Sequence, residues 1–239
     1  MVQNSPAVDR VLALLREKPA DPDTSAGYLD LLGKEAERSP SLAQSVMETT
    51  FLPQIYERVW RPIGFNVAKG WPIGPDTAAE HAMARDWLGL TGTPAKVLDV
   101  ACGPGNVTRA LSEGVTKDGL VVGLDASNPM LTKAVKDTTN PTIEYVRGDA
   151  IDLPFQDAVF DAVACFGALY LFDDPWAAID GMTRVLKPGG RLTILTSRHP
   201  AIIPTPGIAR AILRRTTGFK IFGDRKSTRL NSSHLFISR

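Results

Sequence analysis

The stretch Lys-Val-Leu-Asp-Val-Ala-Cys-Gly-Pro-Gly-Asn-Val-Thr, residues 96–108, joins a short apolar run to a glycine-rich turn. The run contains Val97, Leu98 and Val100, which are typical of a strand buried on both faces. Where a parallel strand leads through glycines into a helix, the backbone can approach a ligand and the first helical N–H groups point at it. The stretch therefore predicts a nucleotide-type binding turn at residues 103–106.

The chain that follows alternates between strands and helices. Short apolar strands separated by helices imply parallel pairing with right-handed crossovers. We therefore predict an α/β fold with a doubly wound, mostly parallel, Rossmann-like sheet whose ligands bind beyond the carboxyl ends of the strands. The predicted strands are 97–100, 120–124, 142–146, 160–166 and 191–196, and the predicted helices are 107–113, 129–136 and 175–186, with a turn at 187–190.

Residues 1–90 predict a helical N-terminal extension, with helices at 8–17, 26–38, 42–50 and 77–90. Leucines in this part are spaced for one buried face of each helix. Residues 51–71 mix aromatic with basic side chains, as nucleic-acid surfaces also do. Because the charge of this segment is close to balanced, we interpret it as a substrate cap that lines the mouth of a small-molecule pocket.

Composition argues against several classes of function. The formal net charge of +1 gives no footprint for nucleic acid. The two cysteines, Cys102 and Cys165, offer neither a disulfide framework nor a metal-ligand spacing. No apolar run approaches the roughly 18 residues that a membrane span needs, and no secretory signal is visible. We expect a cytoplasmic protein with no metal, no nucleic-acid partner and no membrane span; the sequence does not indicate an oligomeric state.

Two aspartates follow predicted strands. Asp125 stands 20 residues after Gly105 (125 − 105), the placement at which a carboxylate accepts hydrogen bonds from a ribose held over the first turn. The alternative is a helix cap, but Ser127 and Pro129 already supply a cap and a first-turn proline. Asp149 follows the third strand and, in register with Asp125, is a candidate acceptor for the exocyclic amine of a purine.

Five successive motifs resemble those of a known enzyme family. They are Asp99-Val-Ala-Cys-Gly-Pro-Gly105, Gly123-Leu-Asp-Ala-Ser127, Gly148-Asp-Ala150, Phe160-Asp-Ala-Val163 and Leu186-Lys-Pro-Gly-Gly190. In this order they resemble the motifs of class I S-adenosylmethionine-dependent methyltransferases, and the variant is similar to the group that includes the ubiquinone and menaquinone biosynthesis methyltransferases. The resemblance covers residues 96–197. It implies S-adenosyl-L-methionine as the cofactor and a small, apolar or aromatic, methyl acceptor.

The resemblance also implies a role for residues at the strand ends. The first turn would hold the methionine part of the cofactor, with Asp99 near its ammonium group, and Asp125 would bind the ribose. The residues after Asp125 and after the third strand would contact adenosine, and those after the fourth strand would face the reacting methyl group. Ala101 stands where many members have glycine, which lowers the expected affinity. The implied cofactor-binding residues are Asp99, Ala101, Gly103, Gly105, Asp125, Ala126, Met130, Gly148, Asp149, Ala150, Phe166 and Gly167.

The implied chemistry is direct, in-line methyl transfer. A methyl group on a cationic sulfonium is already activated, so transfer needs positioning more than acid–base groups. No catalytic residue is identified; near the predicted rim, Tyr170 and His199 are the side chains that could accept a proton. Cys165, inside an apolar run, is interpreted as inert core. Asp161, which begins a strand, is interpreted as structural.

Two other functions stay open. A nicotinamide-dependent dehydrogenase is disfavoured, because the turn at 103–108 lacks the third small residue that allows close packing of helix on strand. The alternative from another class is a non-catalytic cofactor-binding or interaction module, including an inactive truncated fragment.

The C-terminal part departs from the family pattern. The family fold should continue with a lid and two strands, the last antiparallel; residues 208–215 predict the lid helix, and no strand pattern is visible after it. Residues 224–234 resemble an in-frame translation of a common sequencing adapter, so we interpret 224–239 as a non-native tail. The predicted methyltransferase domain is therefore 91–223, truncated after its fifth strand, with an unpaired edge that lowers its stability.

Overall fold

A computed structural model describes residues 6–33, 77–196 and 234–238 of the chain. The helices in these ranges are α1 (Pro6–Leu12), α2 (Thr77–Leu88), α3 (Asn106–Ser112), α4 (Asn128–Lys136) and α5 (Pro175–Val185), with a short 3₁₀ helix at Leu169–Leu171. The strands are β1 (Leu29–Asp30), β2 (Lys96–Val100), β3 (Leu120–Asp125), β4 (Ile143–Arg147), β5 (Phe160–Phe166), β6 (Leu186–Leu195) and β7 (His234–Ser238).

The strands form one sheet in the order β1-β4-β3-β2-β5-β6-β7. Every pair among the first six strands is parallel, and β7 is antiparallel to β6. The order reverses at β2, between β3 and β5, which is the position where doubly wound sheets bind their ligands. The predicted α/β fold with a mostly parallel, Rossmann-like sheet is confirmed.

Both faces of the sheet are covered, which explains the unbroken apolar runs of its strands. Leu98 of β2 belongs to a core that it shares with Val11 of α1 and Met182 of α5. Val97, which points to the opposite face, belongs to a second core with Leu111 of α3. The second core also contains residues of α2 and α4. Helix α1, far from the sheet in sequence, therefore packs into the same core as the central strands.

The predicted helix at 26–38 is wrong, because a strand occupies part of it. Leu29 and Asp30 form β1 and pair with Val146 and Arg147 of β4. Leu29 is fully buried by this pairing. A short isolated helix is marginal in water, whereas pairing with the edge of an existing sheet provides both backbone hydrogen bonds and burial.

The other N-terminal predictions have mixed outcomes. Helix α1 ends at Leu12, five residues before the predicted end at residue 17 (17 − 12). Helix α2 agrees closely with the predicted helix at 77–90. The predicted helix at 42–50 and the aromatic segment at 51–71 lie outside the described residues.

The predicted turn at residues 187–190 lies inside β6. Strand β6 pairs with β5 on both sides of it, with Leu186 opposite Phe160 and Arg191 opposite Ala162. Five steps along β6 (191 − 186) thus face two along β5 (162 − 160), so the Lys-Pro-Gly-Gly stretch is a bulge. Its proline and glycines are residues that central strands tolerate only at such irregularities.

The outer edge of β6 is paired over Arg191 to Leu195, so the predicted unpaired edge is wrong. Strand β7 runs antiparallel beside it, with Ser238 opposite Arg191 and His234 opposite Leu195. Its sequence, His-Leu-Phe-Ile-Ser, is rich in residues that favour strands. A strand from the segment interpreted as a non-native tail therefore covers this edge over Arg191 to Leu195, and the non-native origin of that segment stays a prediction. The predicted lid helix at 208–215 lies outside the described residues.

We expect replacement of Ala158 by glycine to stabilise the protein. Ala158 is exposed in the turn before β5, with a φ of +54°. This left-handed conformation costs a residue with a Cβ about 1–2 kcal/mol. Replacement by glycine removes this strain, but the greater conformational freedom of glycine in the unfolded chain cancels about 0.5–1 kcal/mol of the gain. The free energy of unfolding, measured by urea denaturation, should rise by up to about 1 kcal/mol.

The matched control is Ala79→Gly, at an exposed position of α2. The same chemical change should there lower the free energy of unfolding by up to about 1 kcal/mol, because the helical backbone already suits alanine. A loss of stability in Ala158→Gly as large as in the control would contradict the assignment of strain to Ala158.

Candidate functional site at the carboxyl end of the sheet

The turn between β2 and α3 contains two glycines with different roles. Both have a left-handed backbone, with φ of +55° at Gly103 and +76° at Gly105. A side chain at Gly103 would meet no atom within 4 Å, so the turn has an open face there. A side chain at Gly105 would collide with the hydroxyl group of Tyr145 in β4. Gly103 leaves room for a ligand, whereas Gly105 leaves room for the turn to pack on the sheet.

Tyr145 supports the turn from the sheet, a contact that sequence reasoning missed. A Cβ placed on Gly123 would lie 2.7 Å from its ring, so the ring passes directly over that glycine. Its hydroxyl group shares a 2.9 Å hydrogen bond with Thr138. Arg109 adds a second brace by donating to the carbonyl of Pro104 at 3.0 Å. The available signal was a glycine and a tyrosine at the same register of adjacent strands, and that register is known only from the structure.

Asp125, at the end of β3, ties the turn to the loop before α4. One carboxylate oxygen accepts the N–H of Gly103 at 2.8 Å, and the other accepts the N–H of Ser127 at 2.9 Å. An ionised carboxylate has about four acceptor positions, so Asp125 keeps capacity for the two hydroxyl groups of a ribose. The helix-cap alternative is disfavoured, because the carboxylate of Asp125 accepts the N–H of Ser127, which precedes the first residue of α4. Ser127 occupies the N-cap position, but its side chain makes no cap hydrogen bond, so the cap expected from it is not formed.

The carboxylates near the turn give it a negative electrostatic potential. Burial raises the pKa of Asp125, and hydrogen bonds from the N–H groups of Ser127 and Gly103 oppose that rise. Burial, followed by the nearby carboxylates of Asp125 and Asp99, raises the pKa of the Cys102 thiol well above its ordinary value. The thiol therefore stays neutral beside two carboxylates, an arrangement that suits a cationic ligand.

Asp99 lies deeper than Asp125, with only 1% of its surface exposed. Its carboxylate accepts a 2.6 Å hydrogen bond from the hydroxyl group of Thr108 in α3, which fixes the start of the helix against β2. Its neighbours in register, Gly123 on β3 and Ala164 on β5, are both small. None of these contacts tests the implied position of Asp99 beside an ammonium group, which stays a prediction.

The loop residues expected to contact adenosine lie beside Asp125. The N–H of Gly148 donates to the Asp125 carbonyl at 3.1 Å, which joins the ends of β3 and β4. Asp149 is exposed, and its carboxylate accepts the N–H of Ile151 at 2.8 Å. The hydroxyl group of Ser127 is buried and has no hydrogen-bond partner among the described residues. Such a group costs about 1–3 kcal/mol, and a polar ligand against this loop would satisfy it.

The remaining implied residues of this region are small or apolar. Ala101 has a φ of +55°, so it holds a strained conformation that the glycine of many family members would adopt freely. Its methyl group packs against the first core. Met130 is buried in α4, and Ala126 and Ala150 are half-buried beside the loops.

The end of β5 lies next to the end of β6. The N–H of Gly167 donates to the Leu195 carbonyl at 2.7 Å, and Phe166 is half-buried against the second core. Tyr170 lies in the short 3₁₀ helix that follows. His199 lies outside the described residues. The role of neither side chain as a proton acceptor is tested, so both stay predictions.

Two structural interpretations from the sequence are confirmed. Cys165 is fully buried in the first core, and burial raises the pKa of its thiol far above the ordinary value. Asp161 lies at the amino end of β5, where it accepts the N–H of Lys96 at 2.8 Å and pairs with the ammonium of Lys187 at 2.6 Å. Asp161 therefore lies at the end of the sheet opposite to the candidate site, and Cys165 is part of the core.

Two other features are absent from the part of the chain that the structure describes. The described residues contain no group of three or more His, Cys, Asp or Glu side chains placed to hold a metal ion. No described helix is both long enough and apolar enough to cross a membrane.

The central part of the chain is similar to a known protein family. Residues 98–194 match the family described as a methyltransferase domain. This range runs from β2 to β6 and includes all four strand ends that form the candidate site. The match confirms the predicted resemblance to methyltransferases over this range and supports the predicted cofactor, S-adenosylmethionine; the bounds 91–223 stay a prediction.

Two curated relatives show the same resemblance. The chain is 35% identical over 148 residues to the 2-phytyl-1,4-naphtoquinone methyltransferase of Thermosynechococcus vestitus, covering 61% of each chain. It is 44% identical over 109 residues to the demethylmenaquinone methyltransferase of Staphylococcus carnosus, covering 45% of each chain. The matched part therefore spans about half to three fifths of these relatives, which agrees with the predicted similarity to the quinone-methylating group.

A solved structure shows the same fold. The phosphoethanolamine N-methyltransferase 2 of Haemonchus contortus, in complex with phosphomonomethylethanolamine and S-adenosylhomocysteine, matches with a TM-score of 0.60 and 19% identity. The match covers 80% of this chain and 44% of that one. At this identity the likeness concerns the fold alone.

The two glycines of the turn should respond differently to alanine. Gly105→Ala adds overlap with Tyr145 to a strained φ, so the free energy of unfolding should fall by about 2–4 kcal/mol. Gly103→Ala meets no neighbour and should cost only the conformational strain of about 1–2 kcal/mol. Urea denaturation of both variants tests this difference.

Tyr145→Phe provides the control, because it removes the oxygen that the new methyl group would meet. Part of the loss in Gly105→Ala should be recovered in the double variant. Equal losses at the two glycines, with no recovery, would contradict the division of roles.

Proposed function

We propose that this chain, which contains a methyltransferase domain at residues 98–194, transfers a methyl group from S-adenosylmethionine directly to a small aromatic molecule. The observation that supports this function most strongly is the joint geometry of Gly103 and Asp125. The open face of the turn and the ribose-accepting carboxylate are joined by a single 2.8 Å hydrogen bond. The two parts of the site are therefore held next to each other.

The residues at the strand ends are assigned to parts of the cofactor as follows. The turn at 103–105 receives the methionine part, and Asp125 accepts the ribose hydroxyls. Ala126, Ser127 and Met130 line the adenosine, with Asp149 at its adenine edge. When bound, the cofactor supplies a methyl group on a cationic sulfur. The carboxylates that raise the pKa of Cys102 give the turn the complementary charge.

The acceptor is proposed to be a quinone-type ring. The relatives above are named for naphthoquinone and menaquinone substrates. Phe166, the last residue of β5, is a half-buried aromatic side chain at this end of the sheet and suits contact with an aromatic ring. Phe172, six residues further on (172 − 166), packs against the first core. Residues 1–90 are proposed as an extension that includes the substrate cap, and 91–223 as the methyltransferase domain. We propose a cytoplasmic location, with no nucleic-acid partner.

Positioning accounts for most of the proposed catalysis. The activated methyl group needs an acceptor held in line with it, and a water-excluding site that prevents its loss to solvent. The dehydrogenase alternative loses support, because the matched domain is a methyltransferase domain. The non-catalytic module remains the competing proposal, and the experiment below separates the two.

The function is tested with S-adenosylhomocysteine, labelled S-adenosylmethionine and reduced demethylmenaquinone. We expect calorimetry to detect binding of S-adenosylhomocysteine but not of NAD, and label to enter the quinone. Asp125→Asn should weaken binding about tenfold or more, because a charge-assisted hydrogen bond contributes about 1.5–3 kcal/mol and 1.4 kcal/mol is tenfold.

The control is Asp157→Asn, which changes an exposed aspartate that pairs with Arg184 at 2.7 Å before the amino end of β5. It should leave the dissociation constant unchanged. Binding without label transfer to the quinone or to a panel of phenols would favour the non-catalytic module. No binding of either methionine derivative would overturn the proposal.

The affinity for S-adenosylhomocysteine should decrease as the pH falls through the raised pKa of Asp125. Ribose hydroxyls donate to the ionised carboxylate, so binding favours its deprotonated form, and protonation competes with the ligand. Above that pKa the dissociation constant should level off. Calorimetry from pH 4 to pH 8 gives the profile, and Asp125→Asn should flatten it; an equal acid-side loss in the variant would assign the effect to another group.

A further inference from the structure

Arg147, at the end of β4, is a buried cation that contacts two distant parts of the chain. Only 3% of its surface is exposed. Its Nε donates to the carbonyl of Ala126 at 3.1 Å, in the loop that follows Asp125. Its Nη1 donates to the carboxylate of Asp30 and to the carbonyl of Gly33, both at 3.0 Å. One guanidinium group therefore joins the proposed adenosine loop to the N-terminal segment.

The N-terminal segment is itself held firmly against β4 and α4. The N–H of Leu31 donates to the Arg147 carbonyl at 3.0 Å, which continues the pairing of β1. The second oxygen of Asp30 accepts the N–H groups of Leu32 and Gly33 at 2.9 and 3.0 Å. Asp30 is thus oriented by its own turn, and its other oxygen is aimed at Arg147.

A second contact reaches the same loop from the same segment. The hydroxyl group of Tyr28 donates to the side-chain oxygen of Asn128, the first residue of α4, at 2.7 Å. Tyr28 is buried, whereas Asn128 is half-buried. The loop between Asp125 and α4 is therefore gripped at both ends, by Arg147 at residue 126 and by Tyr28 at residue 128.

We propose that residues 28–33, which we call the N-terminal clasp, position the adenosine loop for cofactor binding, with Asp30 and Arg147 as positioning residues. This inference rests on the proposed function and extends it, because the clasp lies outside the matched range 98–194. Without Asp30, Arg147 is a buried charge without a counter-ion and has to turn toward solvent, which releases the Ala126 carbonyl. The loop beside Asp125 then has to be ordered by the cofactor at a cost in affinity.

The coupling has to operate in both directions. If the clasp favours cofactor binding, the bound cofactor favours the docked clasp by the same factor. The amides of Leu31, Leu32 and Gly33 are donors within the clasp, so their hydrogen exchange reports its docking. A purely structural role of Asp30 would lower stability without linking these amides to the ligand.

The test compares Asp30→Asn with Asp161→Asn in the full chain. Asp161 likewise accepts a backbone N–H and pairs with a cation, but at the amino end of β5, away from the carboxyl ends of the strands. We expect Asp30→Asn to raise the dissociation constant of S-adenosylhomocysteine about fivefold or more, and Asp161→Asn to leave it unchanged. In the wild type, S-adenosylhomocysteine should slow exchange at Leu31 to Gly33, and Asp30→Asn should abolish this effect.

Each outcome supports or overturns the proposed role of the clasp. An unchanged dissociation constant in Asp30→Asn, with wild-type binding intact, would overturn the clasp alone; no wild-type binding would overturn the proposed function and the clasp with it. If Asp30→Asn does not fold, Tyr28→Phe decides, since it removes one hydroxyl group and keeps the buried ring. A rise of about threefold in its dissociation constant would support the clasp, and an unchanged value would overturn it.

Discussion

The carboxylate of Asp125 is the contact on which the candidate site depends. Its two oxygens hold the N–H groups of Gly103 and Ser127, and its carbonyl receives the N–H of Gly148. Three loops that follow three different strands are thus fixed to a single residue. Asp125 is half-buried and its carboxylate accepts two backbone N–H groups, so it is held in place and keeps acceptor positions for further hydrogen bonds.

The arrangement of strands makes this contact possible. The carboxyl ends of parallel strands lie at the same end of the sheet. The strand order reverses at β2, so the loops that follow neighbouring strands diverge there toward opposite faces of the sheet. Gly123, in register with both Asp99 and Tyr145, leaves the space that the Tyr145 ring fills. Two glycines of the same turn therefore have separate roles. Gly105 makes room for packing below the turn, and Gly103 leaves room for a ligand above it.

The part of the site that local sequence controls could be predicted. Strand ends, glycines and the aspartates that follow them are visible within a few residues of one another, and Asp125 and Gly103 were identified in this way. Contacts between distant segments could not be, because pairing of Asp30 with Arg147 spans 117 residues. Strand β1 lies where the spacing of leucines predicts a helix, and strand β7 lies in the segment that was interpreted as a non-native tail. Both segments form strands because each pairs with an available edge of the sheet.

The two outermost strands of the sheet, β1 and β7, both come from outside residues 98–194. The folded sheet therefore includes more of the chain than the range that matches the family. A fragment cut at the limits of the family match would bare both sheet edges, each a row of unpaired backbone groups open to pairing with other copies. It would also lose α1 and α2, which cover one face each. The sheet of the matched domain is thus completed at both edges by segments that lie outside the matched range.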